Sequence, residues 1–346
     1  MHYLIRNSKR KPMNSTGASS GDSEMRMSKW VAWAHLVRLP NVFTIVADIS
    51  AAFLLIAHGP HPVGRLVLVL LGGISLYWAG MTLNDVFDEH VDREQRAKRP
   101  IPAGWISSRE AKRGGWILLF LGITFATLSG FFPSVDLSTT WLPALVSIAL
   151  AIMIVAYDGP LKSTFLAPSA MGSCRFLSFL LGASPCIVSP PATPFTAFSD
   201  WIPPEILAIA SGFGLYIIGV TTMARREAIG GSRQNLIVGA LTTAIGVLCL
   251  AFAPKMISDT DLLRLDTESV FPTLIGLISL PVLLRAVGAA WSPSPPKIMV
   301  TIKAGILTII PFSAAFASLG AGPVWGLILF SLMFPALLLS AKFRVT

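Results

Sequence analysis

Asn84, Asp85, Asp88 and Asp92 close a long apolar run, 66–83, in the order Asn-Asp-x-x-Asp-x-x-x-Asp. Spacings of three, four and seven put the carboxylates on one face of a helix, stacked over two turns. Like charges so arranged repel one another and cost stability unless something cationic sits against them. The donors are all oxygen, and Arg93, Arg96, Lys98 and Arg99 follow directly. Hard oxygen donors beside basic side chains suit Mg²⁺ and a polyphosphate. The plainer alternative is a solvated acidic cap where a helix leaves a bilayer. A cap needs neither the asparagine nor the three-four spacing. His90 lies inside the motif, but without a Cys or His partner at zinc spacing it reads as solvated.

The elements that hold this motif are set by composition. Hydrophobic residues make up 53% of the chain and charged ones 13%, against about 25% charged in an average soluble domain. Residues 1–29 are polar and basic and lack a signal-peptide core, which predicts a disordered cytoplasmic arm. Residues 30–346 then read as one membrane domain. Its apolar segments, each near the roughly 20 residues that cross a bilayer, fall at 40–58, 65–84, 114–132, 141–157, 164–187, 204–224, 235–253, 270–289, 299–319 and 322–341. Pro281, Pro311 and Pro335 interrupt the last three, so one of them could be re-entrant. The fold class is therefore an all-α integral membrane protein, a bundle of nine or ten transmembrane helices.

Charge gives the bundle a direction. With the N-terminus in the cytoplasm, the inner segments carry the basic clusters within 6–38 and 93–113, then Lys162, Arg225, Arg226, Arg233, Arg285, Lys297, Lys342 and Arg344. The outer ones carry only Arg65, Lys255 and Arg264, with most of the remaining acids. This follows the positive-inside rule. The net charge of +9 is then a matter of topology and anionic lipid, not a nucleic-acid footprint. If the source is bacterial, the membrane is the cell inner membrane.

In this topology the second, fourth and sixth spans all end on the cytoplasmic side in polar motifs. The second ends in the aspartates. The fourth ends in Tyr157-Asp158-Gly159-Pro160-Leu161-Lys162, and the sixth in Arg225-Arg226-Glu227-Ala228-Ile229-Gly230-Gly231-Ser232-Arg233. Helical bundles build sites from side chains on facing helices. Three charged mouths on one face predict a cavity open to the cytoplasm and walled by apolar helices. Within the spans, Arg175 either lines that cavity, contacting substrate or Asp48, or forms a structural pair buried between helices, since charge at membrane depth is costly. Asn41, near Arg38 on the first helix, touches an acceptor or caps its helix. Cys174, Cys186 and Cys249 show no paired spacing and read as packing residues. Gly72-Gly73, Gly212, Gly214 and Gly219 read as close helix contacts.

The chain resembles the UbiA superfamily of intramembrane prenyltransferases from about Leu36 to its C-terminus. The aspartate motif is the strongest match, followed by Arg99-Pro100-Ile101-Pro102-Ala103-Gly104. Arg38-Leu39-Pro40-Asn41-Val42-Phe43-Thr44 is similar to the family's first helix, and Tyr157 with Lys162 to its Tyr/Lys motif. The resemblance implies Mg²⁺-dependent transfer from a prenyl diphosphate to an aromatic or lipid-like acceptor. Asp85 and Asp88 would ligate the metal with Asn84 positioning, while Asp92 would ligate or orient Arg93 or Lys98. Lys162 and Arg99 would contact diphosphate, and Tyr157 would orient phosphate or stack near the developing cation. Arg38, Asn41 and Arg175 complete the expected substrate pocket.

One element departs from the family. Its second aspartate motif follows the sixth helix, where this chain has Arg225, Arg226 and Arg233 around a single acid, Glu227. Arginine's planar fork suits phosphate, so these arginines are expected to bind diphosphate oxygens directly, with Glu227 orienting one or holding a shared ion; the plainer alternative is a positive-inside anchor at the end of the sixth helix. Two other classes of function stand beside the enzyme. A secondary transporter would favour paired repeats about a midplane site, whereas here the charge gathers at one mouth. A UbiA-like protein with weakened catalysis that binds or moves an isoprenoid lipid is supported by the altered motif.

Overall fold

A computed structural model describes residues 28–135, 137–187, 202–225 and 233–342. The expected arm lies outside these residues up to position 27, and α1 (Lys29–Leu36) already begins at its predicted end. Arg226 and Glu227 also lie outside them.

The described residues are helical from end to end. After α1 come α2 (Val42–Ala57), α3 (Val63–Phe87), α4 (Glu89–Gln95), α5 (Ser108–Phe131), α6 (Leu142–Ala156) and α7 (Ala167–Ala183). Then follow α8 (Pro204–Ala224), α9 (Arg233–Phe252), α10 (Val270–Trp291), α11 (Pro295–Leu307), α12 (Ile309–Ala321), α13 (Pro323–Ser331) and α14 (Met333–Lys342). Among the described residues, nine helical stretches are long and apolar enough to cross a membrane. Helix α7 is shorter, at 17 residues, and is wedged between α2, α6 and α8.

Proline shapes the last three segments without turning any of them back. Proline has no N–H to offer the carbonyl four residues earlier. Beyond Leu307 and Ser331, the carbonyls that Pro311 and Pro335 cannot engage, the helix is interrupted, and the two segments become α11–α12 and α13–α14. Helix α14 nonetheless reaches the Leu39–Asn41 turn at the acidic end, so the last segment spans the bundle and is not re-entrant. Helix α10 absorbs Pro281 and runs unbroken.

Packing closes the bundle around α2, which contacts α3, α7 and α12. The tightest helix pairs are built on glycine. A Cβ on Gly219 of α8 would lie 2.4 Å from the Thr243 nitrogen of α9, and one on Gly246 2.4 Å from the Tyr216 nitrogen. Both distances are impossible for a real side chain, so α8 and α9 touch backbone to backbone.

The two ends of the bundle differ. Away from the aspartates, Phe179, Phe213, Phe271 and Phe316 are fully buried and pack ring on ring, with centroids 5.0–6.1 Å apart. Arg65, counted above among the outer charges, is instead the largest fully buried side chain, 1% exposed. Its guanidinium donates to the carbonyls of Phe132 (3.1 Å), Pro185 (2.6 Å), Leu137 (3.1 Å) and Ser138 (3.0 Å). It ties the α5–α6 connection to the turn after α7. Arg65→Met would keep the apolar stem and strand these carbonyls; only the Pro185 bond is buried and the other three are part-buried, so the loss centres on the Pro185 carbonyl, at a cost of about 1–3 kcal/mol. The expected result is a marked fall in thermal unfolding temperature in detergent; an unchanged temperature would show that the clamp contributes nothing.

Candidate functional site

Helix α3 carries the site out of the apolar core. Tyr77, Asn84, Asp85 and Asp88 recur on one face at helical spacing. At Asp88 the helix bends into α4, although Asp88 N still bonds Asn84 O (3.0 Å) and Asp92 N bonds Asp88 O (2.9 Å). The carboxylates therefore stay on the predicted face. Asp85 and Asp92 are buried, at 5% and 1% exposure.

Cations meet each acid. Asp85 Oδ1 accepts from Arg38 (3.3 Å), Arg99 (3.1 Å) and Asn84 Nδ2 (3.3 Å). Arg99 also donates to Asp92 Oδ2 at 2.6 Å, and Arg96 lies 3.7 Å from Asp92 Oδ1. Lys162 donates to Asp88 Oδ2 and to Asn84 Oδ1 (2.6 Å). The result is one continuous network, Asp88–Lys162–Asn84–Asp85–Arg99–Asp92, which neutralises the like-charge face that the sequence exposes.

Local structure explains why these partners arrive. Arg99 sits in a tight loop where the Ala103 N–H bonds Arg99 O (2.9 Å) and Gly104 adopts φ +73°. Ile101 and Ile106 of that loop pack with Ala32, Leu36 and Ala111 in a small apolar cluster, which docks the loop against α1 and α5. Helix α5 starts with Ser107 accepting from the Glu110 N–H (3.1 Å), a capping interaction. Helix α4 is tied to it: the Ser108 hydroxyl and the Arg93 guanidinium hold the Glu89 carboxyl below the usual carboxylate range. Arg38 adopts the left-handed region at φ 48°, ψ 57°, unusual for a residue with a Cβ. Pro40 follows in the turn.

Deeper in the bundle, the Tyr77 hydroxyl donates to Arg38 O (3.4 Å) and bonds the Asn41 side chain. Arg175 of α7 pairs with Asp48 of α2 at 3.1 Å and reaches Thr44. The contact with Asp48 belongs to both readings of Arg175, as a wall of the cavity and as a structural pair between helices. Tyr157 lies where the charges of Asp158, Arg38 and Asp88 act on it, beside Cys174.

Several expected residues lie elsewhere. Asp92 orients Arg99 and Arg96, not Arg93 or Lys98. Arg93 pairs with Glu89 at 2.6 Å, and Lys98 is exposed. Both are held away by the outward face of α4 and its following turn. Arg225 donates to the Thr164 and Phe165 carbonyls (3.1 and 3.3 Å), and so braces the α6–α7 connection where a diphosphate contact was expected. Arg233 is exposed at the start of α9 and lines a groove of about 230 Å³ with Ile237, Val287 and Trp291. Tyr77 and Asp158 went unassigned in the sequence. Tyr77 is seven residues before Asn84, on the same helix face, and that spacing was the available signal. Asp158 ends an apolar span, as Asp85 does.

The donor set fits a hard divalent cation shared with a ligand. The described hydrogen bonds fall on Oδ1 of Asp85 and Oδ2 of Asp88, which leaves the second oxygen of each to ligate. Among the described residues no group of three or more Asp, Glu, His or Cys side chains is placed to hold a metal ion, so protein ligands alone do not make a site. Mg²⁺ is commonly held by one or two carboxylates plus phosphate oxygens and water.

The model of the UbiA prenyltransferase family matches residues 43–345. This chain belongs to that family. The UbiA fold extends to solved structures: a UbiA homologue from Archaeoglobus fulgidus bound to DMAPP and Mg²⁺ aligns with a TM-score of 0.52 at 17% identity, over 86% of this chain and 99% of that one. Digeranylgeranylglyceryl phosphate synthase of Methanobrevibacter smithii is 30% identical over 132 residues, 38% of this chain and 44% of that protein. 4-Hydroxybenzoate octaprenyltransferase of Edwardsiella ictaluri is 32% identical over 120 residues, 33% of this chain and 40% of that protein. The chain thus matches less than half the length of these curated UbiA relatives.

Proposed function

We propose that this protein transfers a prenyl group from a prenyl diphosphate to an acceptor dissolved in the membrane, with Mg²⁺ as cofactor. The observation that carries the reading is the network of Asp85, Asp88 and Asp92 with Arg38, Arg99 and Lys162 at one end of an apolar bundle. Membership of the UbiA family supports it.

The chemistry follows from charge. The allylic C–O bond breaks and its electron pair leaves with the diphosphate. The acceptor's nucleophilic atom then bonds the allylic carbon and loses a proton. Bound between Asp85 and Asp88, Mg²⁺ would supply positive charge to the leaving diphosphate. Lys162 and Arg38, each 31% exposed in its side chain, are within reach of the same oxygens. Fixed donors aimed at developing charge are a large catalytic term. The apolar helices behind them exclude the water that would capture the allylic cation. Asp92 acts through Arg99, and Asn84 through Lys162 and Asp85. The acceptor is aromatic or lipid-like, and the mouth faces the cytoplasm, a reading that the charge asymmetry of the connections supports.

The test is release of pyrophosphate from geranyl diphosphate by the purified chain, with and without Mg²⁺. Lys162→Met should lose one charge-assisted contact, about 1.5–3 kcal/mol, and so weaken geranyl diphosphate binding by roughly one to two decades. Tight binding without Mg²⁺-dependent release, at any acceptor, would favour the other reading, an isoprenoid-binding protein with weakened catalysis. The existing pairing of every acid in the motif is what speaks for that reading. Absence of both binding and release would sink the proposal.

A further inference from the structure

Arg233 stands outside the aspartate network, at the head of the groove between α9 and α10. Helices α8 and α9 run antiparallel, with Gly219 against Thr243 and Gly246 against Tyr216, so α9 begins where α8 ends. There Arg225 holds the Thr164 and Phe165 carbonyls, two and three residues past Lys162. The groove therefore lies at the same end of the bundle as the aspartates. Arg233, Ile237 and Ala240 line it from α9, and Val287, Ala290 and Trp291 from α10. Each set falls on one helix face. Ala240 and Ala290 are half-buried, whereas Ile237, Val287 and Trp291 are exposed. Small side chains thus make the floor and large apolar ones the rims, and Arg233 is the one charged lining residue. Ala240 is seven residues into α9, about 10 Å deeper than Arg233. A second cation stands close by: Lys297 is exposed and donates to the Ser292 hydroxyl, one residue past Trp291. No ion pair among the described residues involves Arg233 or Lys297.

Both helices are long and apolar enough to cross a membrane, so a groove open on their outer surface meets lipid. A tryptophan at a helix end suits the headgroup level, and arginine lays its stem on apolar surface with its charged head at the interface. Basic pockets between transmembrane helices take anionic headgroups. We propose that this groove binds an anionic glycerophospholipid from the surrounding leaflet. One acyl chain lies along Ala240 and Ala290, and the phosphate takes the planar fork of Arg233. Lys297 adds a second positive charge, which selects a headgroup of net negative charge over a zwitterionic one. The same charges disfavour a second copy of the chain, since a two-fold contact presents the same patch from both sides and would bring like cations together. A bound lipid would join the first turns of α9 to the last turn of α10, and so brace the end of the bundle that carries the aspartates.

The test is thermal unfolding of the purified full chain in an uncharged detergent as dioleoyl phosphatidylglycerol is titrated, with dioleoyl phosphatidylcholine as the zwitterionic control. Lipid that binds the folded state raises the unfolding temperature with occupancy, so the half-saturating lipid fraction is read directly. Phosphatidylglycerol should give a saturable rise that phosphatidylcholine does not give over the same range. Arg233→Gln should raise the half-saturating fraction about fivefold, and Arg233→Gln with Lys297→Gln about thirtyfold, the scale set by one and two basic residues near an anionic headgroup. Ala240→Leu keeps both charges and fills the floor, and should also remove the saturable rise. If that variant does not purify as a monodisperse species, Ala290→Leu makes the same comparison from α10. Equal responses to the two lipids, or an unchanged half-saturating fraction in the double glutamine variant, would overturn the headgroup contact. An unchanged response in the leucine variant would overturn the groove and leave only diffuse attraction to a charged surface. A half-saturating fraction that rises in proportion to added geranyl diphosphate would make a prenyl chain the occupant. A dimer abolished by Ala240→Leu would make it a second copy. Either result would overturn the lipid assignment.

Discussion

Asp88→Asn is expected to stop Mg²⁺-dependent release of pyrophosphate while leaving the bundle folded. Asparagine has nearly the same volume, so packing at the end of α3 is preserved. What is lost is the charge, and with it a hard oxygen ligand. Removing one element of transition-state charge stabilisation commonly costs on the order of 10²–10³ in rate. Asp85→Asn should reach the same activity loss by a costlier route. Three donors converge on Asp85 Oδ1, from Arg38, Arg99 and Asn84, whereas Asp88 takes one cation, Lys162. Neutralising Asp85 therefore also lowers the unfolding temperature, and neutralising Asp88 barely moves it. Steady-state release at limiting Mg²⁺, with unfolding curves on the same preparations, separates the two effects. Full activity in both variants would reduce the motif to an acidic cap on a helix end.

The aspartates were legible because chemistry and helix period coincide: an asparagine and three acids at spacings of one, three and four can share one helix face. The spans were legible for a similar reason. Each apolar segment is close to a bilayer's thickness, and the glycines of α8 announced a close contact. What the sequence hid depends on long-range geometry. Arg65 reads as a loop charge until four carbonyls from two separate connections are brought around it. Arg225 reads as a phosphate ligand because it ends a span beside other arginines; only the position of the Thr164 and Phe165 carbonyls turns it into a brace. Arg175 and Asp48 are 127 residues apart, and either could have faced a substrate alone. Asp158 stood in plain view between Tyr157 and Gly159, but its burial with Oδ2 left unpartnered is something no sequence pattern records.

Arg99 offers the sharpest separation of structure from catalysis. It joins Asp85 and Asp92, whose side chains are only 7% and 2% exposed, at 3.1 and 2.6 Å. Its own side chain is 12% exposed, so the cluster sits largely out of water. Arg99→Met would keep an apolar stem against the loop and remove the shared cation. Breaking a buried pair by deleting one partner typically costs about 3–5 kcal/mol, because the other charge remains without compensation. Arg96 cannot take over, since it is half-exposed and 3.7 Å from Asp92. Thermal unfolding of Arg99→Met should therefore fall well below that of the parent. Adding Asp92→Asn should recover much of the loss, because Asp92 is the acid left most deeply buried and Asp85 still has Arg38. Activity should not return with stability. Asp92 works by orienting Arg99, and with both charges gone the diphosphate loses a cation that the fold no longer holds in place. Arg99→Lys tests the geometry itself: lysine keeps the charge without the planar fork, and should hold one aspartate at the expense of the other. Were Arg99→Met to unfold at the parent temperature, Asp85 and Asp92 would have to be adequately solvated or paired without it, and the network would not be what stabilises this end of the bundle.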